Sequence, residues 1–332
     1  MTNHDSRSAA TNAAETVQRV ELALDDGTHR WSLLSLPVTD EDTYPLVIDL
    51  HGFAEGATMH AETTGLAAFG RTRGFMVATP HGTPIGDDTI PQWATTVGKN
   101  RDVAFISQLI DHLLAAHPID PDRIYVAGFS NGALLTAVLL CHLCDRIAGA
   151  ALVAGGRLAH SRHPAVPVPI ILLHGTEDPI VPFAGGPVRA AAFRTEDDLV
   201  ATAAEHQESP VDIAGDLPME DLRRVCALPL LDLVGDYART SGLSLAHGQR
   251  LDHGVTRYVW GDGDGHEVHL CIIQGAGHHW PGSQAYLGLE SILGPAAVDV
   301  SANELIWAFF RSRPSTENIP SPVRPTTGPH HP

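Results

Sequence analysis

The chain has 332 residues, 43% of them apolar, enough to bury a sizeable core in one large α/β domain or two smaller ones. Its 39 acidic residues against 21 basic ones give a formal charge of -18, a field that repels phosphates and anionic lipid and argues against nucleic-acid or membrane partners. Residues 1 to 15 hold no apolar run able to core a secretory signal, no later run is long enough to span a bilayer, and Cys141, Cys144, Cys226 and Cys271 are too sparse for a disulfide scaffold; the expectation is a soluble cytoplasmic protein, secreted if a leader was trimmed.

After a flexible N-terminus over 1–15, "VQRVELAL" (17–24), the turn "DDG" and "HRWSLLSL" (29–36) predict a hairpin. "YPLVIDLHG" is a nearly continuous apolar run closed by glycine, the pattern of a strand buried on both faces, and "FMVATPHG" (75–82) is the next. Residues 58–70 between them have helical composition. From Asp102 to His117, Val103, Ile106, Ile110 and Leu113 recur at three to four residues, which predicts an amphipathic helix. The strand "RIYVAG", a helix over 131–144 and the strands "GAALVAG" (149–155) and "VPIILLHG" (168–175) follow. Strand and helix in alternation predict a mostly parallel sheet covered on both faces. The rhythm breaks over 187–230, read as a cap or insertion; then come the helix "LLDLVGDYA", an antiparallel pair turning at "DGDG", the amphipathic helix "ANELIWAFF", and a proline-rich tail over 314–332 expected to be disordered.

The stretch "YVAGFSNGALL" (125–135) sets Ser130 between two glycines, behind a strand and ahead of a helix, which is the pattern of a nucleophile elbow. A serine hydroxyl attacks only when an imidazole takes its proton and a carboxylate steadies that imidazole. Both are available in the order acid then histidine: "HGTEDPIVPF" carries Glu177 and Asp178 behind one strand, and "GAGHHWPG" carries His278 and His279 behind another.

"HGTEDPIVPF", "AGFSNGA" and "GAGHHWPG" resemble the polyhydroxybutyrate depolymerase and feruloyl esterase family (carbohydrate esterase family 1-like), a likeness running from about residue 44 to 313. The resemblance implies an α/β-hydrolase fold over 16–313, with Ser130 as nucleophile, Asp178 as acid and His278 as base, and with neither cofactor nor metal. It also implies that the amides of Phe53, in "HGFAEG", and Asn131 receive the oxyanion, phenylalanine standing where the family has cysteine. Trp93, Trp280 and His279 are candidate substrate-binding residues, the indoles as flat apolar walls, while Trp31, Trp260 and Trp307 read as core. Feruloyl, acetyl or short hydroxyalkanoate esters, small and soluble rather than solid polymer, are the expected substrates; polyester depolymerisation, acyl transfer and thioester cleavage share the machinery. Intact Ser130, Asp178 and His278 oppose a silent binding protein.

Other motifs carry less. "CHLC" (141–144) has the spacing of a metal pair but no second pair elsewhere; "HEVHL" (266–270) lies in a predicted strand that sends His266 and His269 to opposite faces; "DGDG" lacks the later ligands of a calcium loop. Secreted members of the family it resembles commonly carry a cysteine pair around "TSGLSLAHG" and "GDGDGHEV", and this sequence has none at either spot.

Overall fold

A computed structural model describes residues 17–84, 90–156, 167–187, 226–227, 230–263 and 265–312. In chain order the elements are β1 (Val17–Ala23), β2 (His29–Ser35), β3 (Tyr44–Leu50), α1 (Gly56–Thr64), α2 (Leu66–Arg73), β4 (Met76–Pro80), α3 (Arg101–Ala116), β5 (Ile119–Phe129) and α4 (Asn131–His142). There follow β6 (Gly149–Val153), β7 (Ile170–Gly175), β8 (Gly186–Pro187), β9 (Cys226–Ala227), α5 (Leu230–Thr240), β10 (Ser244–Arg250), β11 (Val255–Gly261), β12 (Glu267–Ile273), α6 (Glu290–Leu293) and α7 (Ala302–Arg311).

Ten strands form one sheet in the order β1-β2-β4-β3-β5-β6-β7-β12-β11-β10. The six from β4 to β12 run parallel, and antiparallel strands extend both edges: β1 and β2 beside β4, β11 and β10 beside β12. The apolar runs sit centrally because a strand covered on both faces has no polar side to offer: β3, β4, β6 and β7 are buried at every position. Alternation along these strands divides the core. Leu46, Ile48, Val126, Leu152 and Leu172 pack with Phe105, Ile106, Leu139 and Val234 of α3, α4 and α5. Val47, Tyr125, Ala127, Val153 and Leu173 pack with Leu66, Ile306 and Phe310 of α2 and α7 on the other face. Each fully buried Leu, Ile or Phe contributes roughly 1.5–3 kcal/mol, so the two layers, rather than any single contact, hold the sheet and the loops at its strand ends in place.

Several expectations need correction. The helical stretch at 58–70 is two helices, broken at Gly65. The buried face of α3 runs through Phe105, Ile106, Leu109, Ile110 and Leu113, with Val103 at its margin, and α4 ends at His142, not at residue 144. Strand β10 was not foreseen, because all seven of its residues are exposed and no apolar alternation marks it. Trp260 and Trp307 are partly buried and pack against the core, as expected, whereas Trp31 is partly buried and stacks on His81. His266 lies just outside β12 and pairs with Asp262 at 2.8 Å, whereas His269 pairs with Glu267 at 3.0 Å.

The expected flexible N-terminus and tail lie outside the described residues, as does nearly all of the cap segment; its ends, however, pair as β8 and β9, Gly186 opposite Ala227 and Pro187 opposite Cys226. Among the described residues no helix is long and apolar enough to cross a membrane, and no group of three or more His, Cys, Asp or Glu side chains could hold a metal ion.

Candidate active site

Strand β5 and helix α4 meet at Ser130, whose φ of 51° and ψ of -113° no ordinary residue favours. Its amide donates to Val153 O at 2.9 Å and its carbonyl accepts from Leu134 N at 3.1 Å, so both neighbouring elements enforce the strained turn. The turn lifts a partly exposed hydroxyl clear of the sheet edge.

From β7, Asp178 arrives on a loop that fixes it completely. Its Oδ1 accepts the amides of Ile180 and Val181, each at 2.8 Å, leaving Oδ2 for His278 Nδ1 at 2.8 Å. Behind it His174 Nε2 lies 3.4 Å from the same Oδ2 and hydrogen-bonds Val181 O at 2.9 Å. Burial alone would raise the Asp178 pKa, but the His278 and His174 imidazoles beside it outweigh that and hold the carboxyl below its usual range. His278, on the loop after β12, presents Nε2 to Ser130 Oγ at 2.8 Å. An ionised carboxylate accepts, so Nδ1 carries the proton and Nε2 is left to accept from the serine. Gly175 lets the two loops meet: a Cβ there would stand 2.1 Å from Ala276 O.

The near-miss neighbours separate cleanly. Glu177 is exposed, with its amide donating to Ala276 O at 2.8 Å. His279 is buried and engaged through Nε2 with Gly294 O at 2.8 Å. The structure thus gathers Ser130, Asp178 and His278 into one hydrogen-bonded chain and leaves Glu177 and His279 out of it.

The loop carrying Phe53 follows β3. His51 Nε2 accepts the Gly82 amide at 2.8 Å, which places the ring proton on Nδ1, where it donates to Gly52 O at 2.6 Å. Burial pushes the His51 pKa down to about 3, so the ring is neutral. In a trans peptide the N–H points opposite to the C=O, so anchoring Gly52 O also aims the Phe53 amide away from His51. Asn131 stands one residue beyond Ser130 at the head of α4, where the helix dipole favours negative charge.

A tryptophan ties these loops together. Trp93 donates its amide to Asn131 Oδ1 at 2.8 Å and its indole N–H to His51 O at 2.9 Å. Trp93 and Trp280 are fully buried: Trp93 supports the two amide-bearing loops, and Trp280 donates to Asn303 Oδ1 at 3.0 Å while packing edge-on to Phe129.

A family model described as phospholipase/carboxylesterase matches residues 94–200. Poly(3-hydroxyalkanoate) depolymerase C of Paucimonas lemoignei is 37% identical over 118 residues, 34% of this chain and 28% of that protein. Feruloyl esterase B of Piromyces equi is 31% identical over 163 residues, 45% of this chain and 28% of that protein. The chain therefore matches under a third of the length of either relative. Among solved structures, acetyl xylan esterase from Aspergillus awamori superposes with a TM-score of 0.53 at 13% identity, over 83% of this chain and 97% of that one. The fold is that of the α/β hydrolases. Ser130 stands at the turn between β5 and α4, and the loops bearing Asp178 and His278 follow β7 and β12.

Sequence reasoning passed over the polar residues behind the site: His51, His174, and above all Asp49, Glu55, His60 and Tyr286. One signal was present. Asp49 interrupts the apolar run "YPLVIDL", and an acid in a strand buried on both faces requires a partner.

Proposed function

We propose that the protein is a serine carboxylic ester hydrolase acting through an acyl-enzyme. The observation that carries the reading is the unbroken relay of two 2.8 Å contacts from Asp178 through His278 to Ser130 Oγ. Ser130 Oγ attacks the ester carbonyl carbon as its proton passes to His278 Nε2, and Asp178 stabilises the imidazolium. The amides of Phe53 and Asn131 receive the oxyanion, a contribution of about 10²–10³ in kcat per donor in comparable sites. The imidazolium returns its proton to the leaving alcohol; water, deprotonated by the same ring, then attacks the acyl-enzyme and releases the acid. No step calls for a metal or organic cofactor.

Feruloyl, acetyl and short hydroxyalkanoate esters are the proposed substrates, in keeping with the names of the relatives. A panel of feruloyl, acetyl and 3-hydroxybutyryl esters of graded size tests this: turnover by the native protein and none by Ser130→Ala is expected. Failure of the native protein on every ester would overturn it.

A further inference from the structure

The loop that bears Phe53 is backed by a buried cluster of charge. Asp49 Oδ1 meets His60 Nε2 at 2.9 Å and its Oδ2 accepts the Thr64 hydroxyl at 3.1 Å. The other ring nitrogen, His60 Nδ1, lies 3.0 Å from Glu55 Oε2. Both nitrogens face carboxylates, an arrangement that only the doubly protonated ring satisfies. Burial opposes that charge, yet Asp49 and Glu55 prevail and raise the His60 pKa to about 10. Glu55, whose carboxyl burial would raise, is instead held down to about 2 by His60 and its hydrogen bonds.

Glu55 spends its remaining valence on the loop. Oε2 also accepts the Gly52 amide at 2.6 Å, and Oε1 accepts the hydroxyl of Tyr286, 231 residues away in sequence. Tyr286 belongs to the segment whose far end, Leu293, accepts the His278 amide through its carbonyl at 2.5 Å. One carboxylate thus joins the amide next to Phe53 to the segment that supports the histidine loop. Between Phe53 and Glu55, Ala54 is held at φ 68°, a strained setting for a residue with a Cβ and one that persists only where its surroundings impose it.

We propose that Glu55 is the positioning residue of the oxyanion loop, setting the Phe53 amide through Gly52 and coupling it through Tyr286 to the histidine side of the site. This rests on the esterase reading above. His60 and Asp49 keep the carboxylate in place, and Thr64 fixes Asp49 in turn. Without Glu55 the Gly52 peptide loses its acceptor, and the amide beside it turns away from the position the oxyanion occupies.

The test uses Glu55→Ala, Glu55→Gln and Tyr286→Phe in the full chain, with p-nitrophenyl acetate as substrate and an alkylboronic acid as a tetrahedral mimic. Rates are divided by the fraction of protein a fluorophosphonate labels. Glu55→Ala is expected to lower kcat per labelled site by about 10–100-fold and to weaken boronic acid binding by a similar factor, with KM nearly unchanged. Glutamine offers one oxygen to Gly52 and His60 and an amide to Tyr286, so Glu55→Gln should recover most of the loss. Tyr286→Phe, which keeps the shape, should lose about 3–10-fold, and it decides the question if Glu55→Ala does not fold. An active native protein with kcat and boronic acid affinity within twofold in both Glu55→Ala and Tyr286→Phe would overturn the inference alone. A native protein that neither labels nor turns over would overturn the esterase reading beneath it.

Discussion

Gly132→Ala probes how closely the two halves of the site approach. Gly132 lies in the first turn of α4, two residues past Ser130, and a Cβ there would stand 2.1 Å from Leu50 O and 2.7 Å from His51 O, where real Cβ contacts essentially never fall under 3.0 Å. Relief requires a retreat of at least 3.0 - 2.1 = 0.9 Å between α4 and the end of β3. Both neighbours are backbone atoms, so no side chain can swing aside. The retreat separates Asn131 from the loop that carries Phe53, and a displacement near 1 Å costs about 10²-fold in rate. Overpacking of this kind costs roughly 1–3 kcal/mol in stability, outweighing the ~1 kcal/mol by which alanine ordinarily improves a helix. Gly235, in α5, is the control: nothing lies within 4 Å of its would-be Cβ, so Gly235→Ala should leave activity alone and gain up to ~1 kcal/mol. Urea unfolding and kcat per labelled site measure both effects. Native activity together with a native midpoint in Gly132→Ala would refute the reasoning.

Asp178→Asn should cost about 10⁴ in kcat with little change in fold: the Ile180 and Val181 amides hold the asparagine oxygen, its NH2 then faces His278 Nδ1, and the ring proton moves to Nε2, where it blocks the serine. A loss under tenfold would contradict that tautomer argument. His278→Ala should abolish turnover of p-nitrophenyl esters while His279→Ala keeps much of it, since Gly294 O occupies the latter ring; the reverse result would move the base by one position. Stability should fall on both sides of a window. His60, raised from 6.5 to about 10, contributes fully below pH 6.5 and progressively less as pH rises toward 10; Glu55, lowered from 4.5 to about 2, contributes above 4.5 and less as pH falls toward 2; and neutral His51, lowered to about 3, adds to the acid loss below pH 6.5. Urea midpoints across pH 4 to 10 check this, and an alkaline decline no smaller in Glu55→Gln than in the native protein would speak against the buried pair.

The sheet was legible because its central strands are buried on both faces and carry that fact as unbroken apolar runs, and because glycine closes them where the chain must turn. Ser130 was legible for a related reason: the strained elbow needs small neighbours on both sides. The family resemblance singled out Asp178 over Glu177 and His278 over His279, a choice that local pattern alone could not make, since adjacent residues share every local signal and only the direction of each side chain divides them. The tryptophans were hard to place because an indole's size suits a wall and a core equally. Trp93 and Trp280 are buried by loops that converge only in three dimensions, whereas Trp31 and Trp307, on regular elements, keep one side near solvent. Least legible was the cluster of Asp49, Glu55, His60 and Tyr286, of which only Asp49 left a signal and whose members acquire meaning only when β3, α1 and the segment before α6 come together. Strand β10 left no trace at all, being held by backbone pairing to β11 rather than by burial.

The most direct test of the account is labelling with a fluorophosphonate, which reacts only with a serine whose proton a neighbouring base removes. The native protein should label at a single peptide containing Ser130, and Ser130→Ala and His278→Ala should not label. A native protein that stays unlabelled while folded, or that labels at another serine, would contradict it.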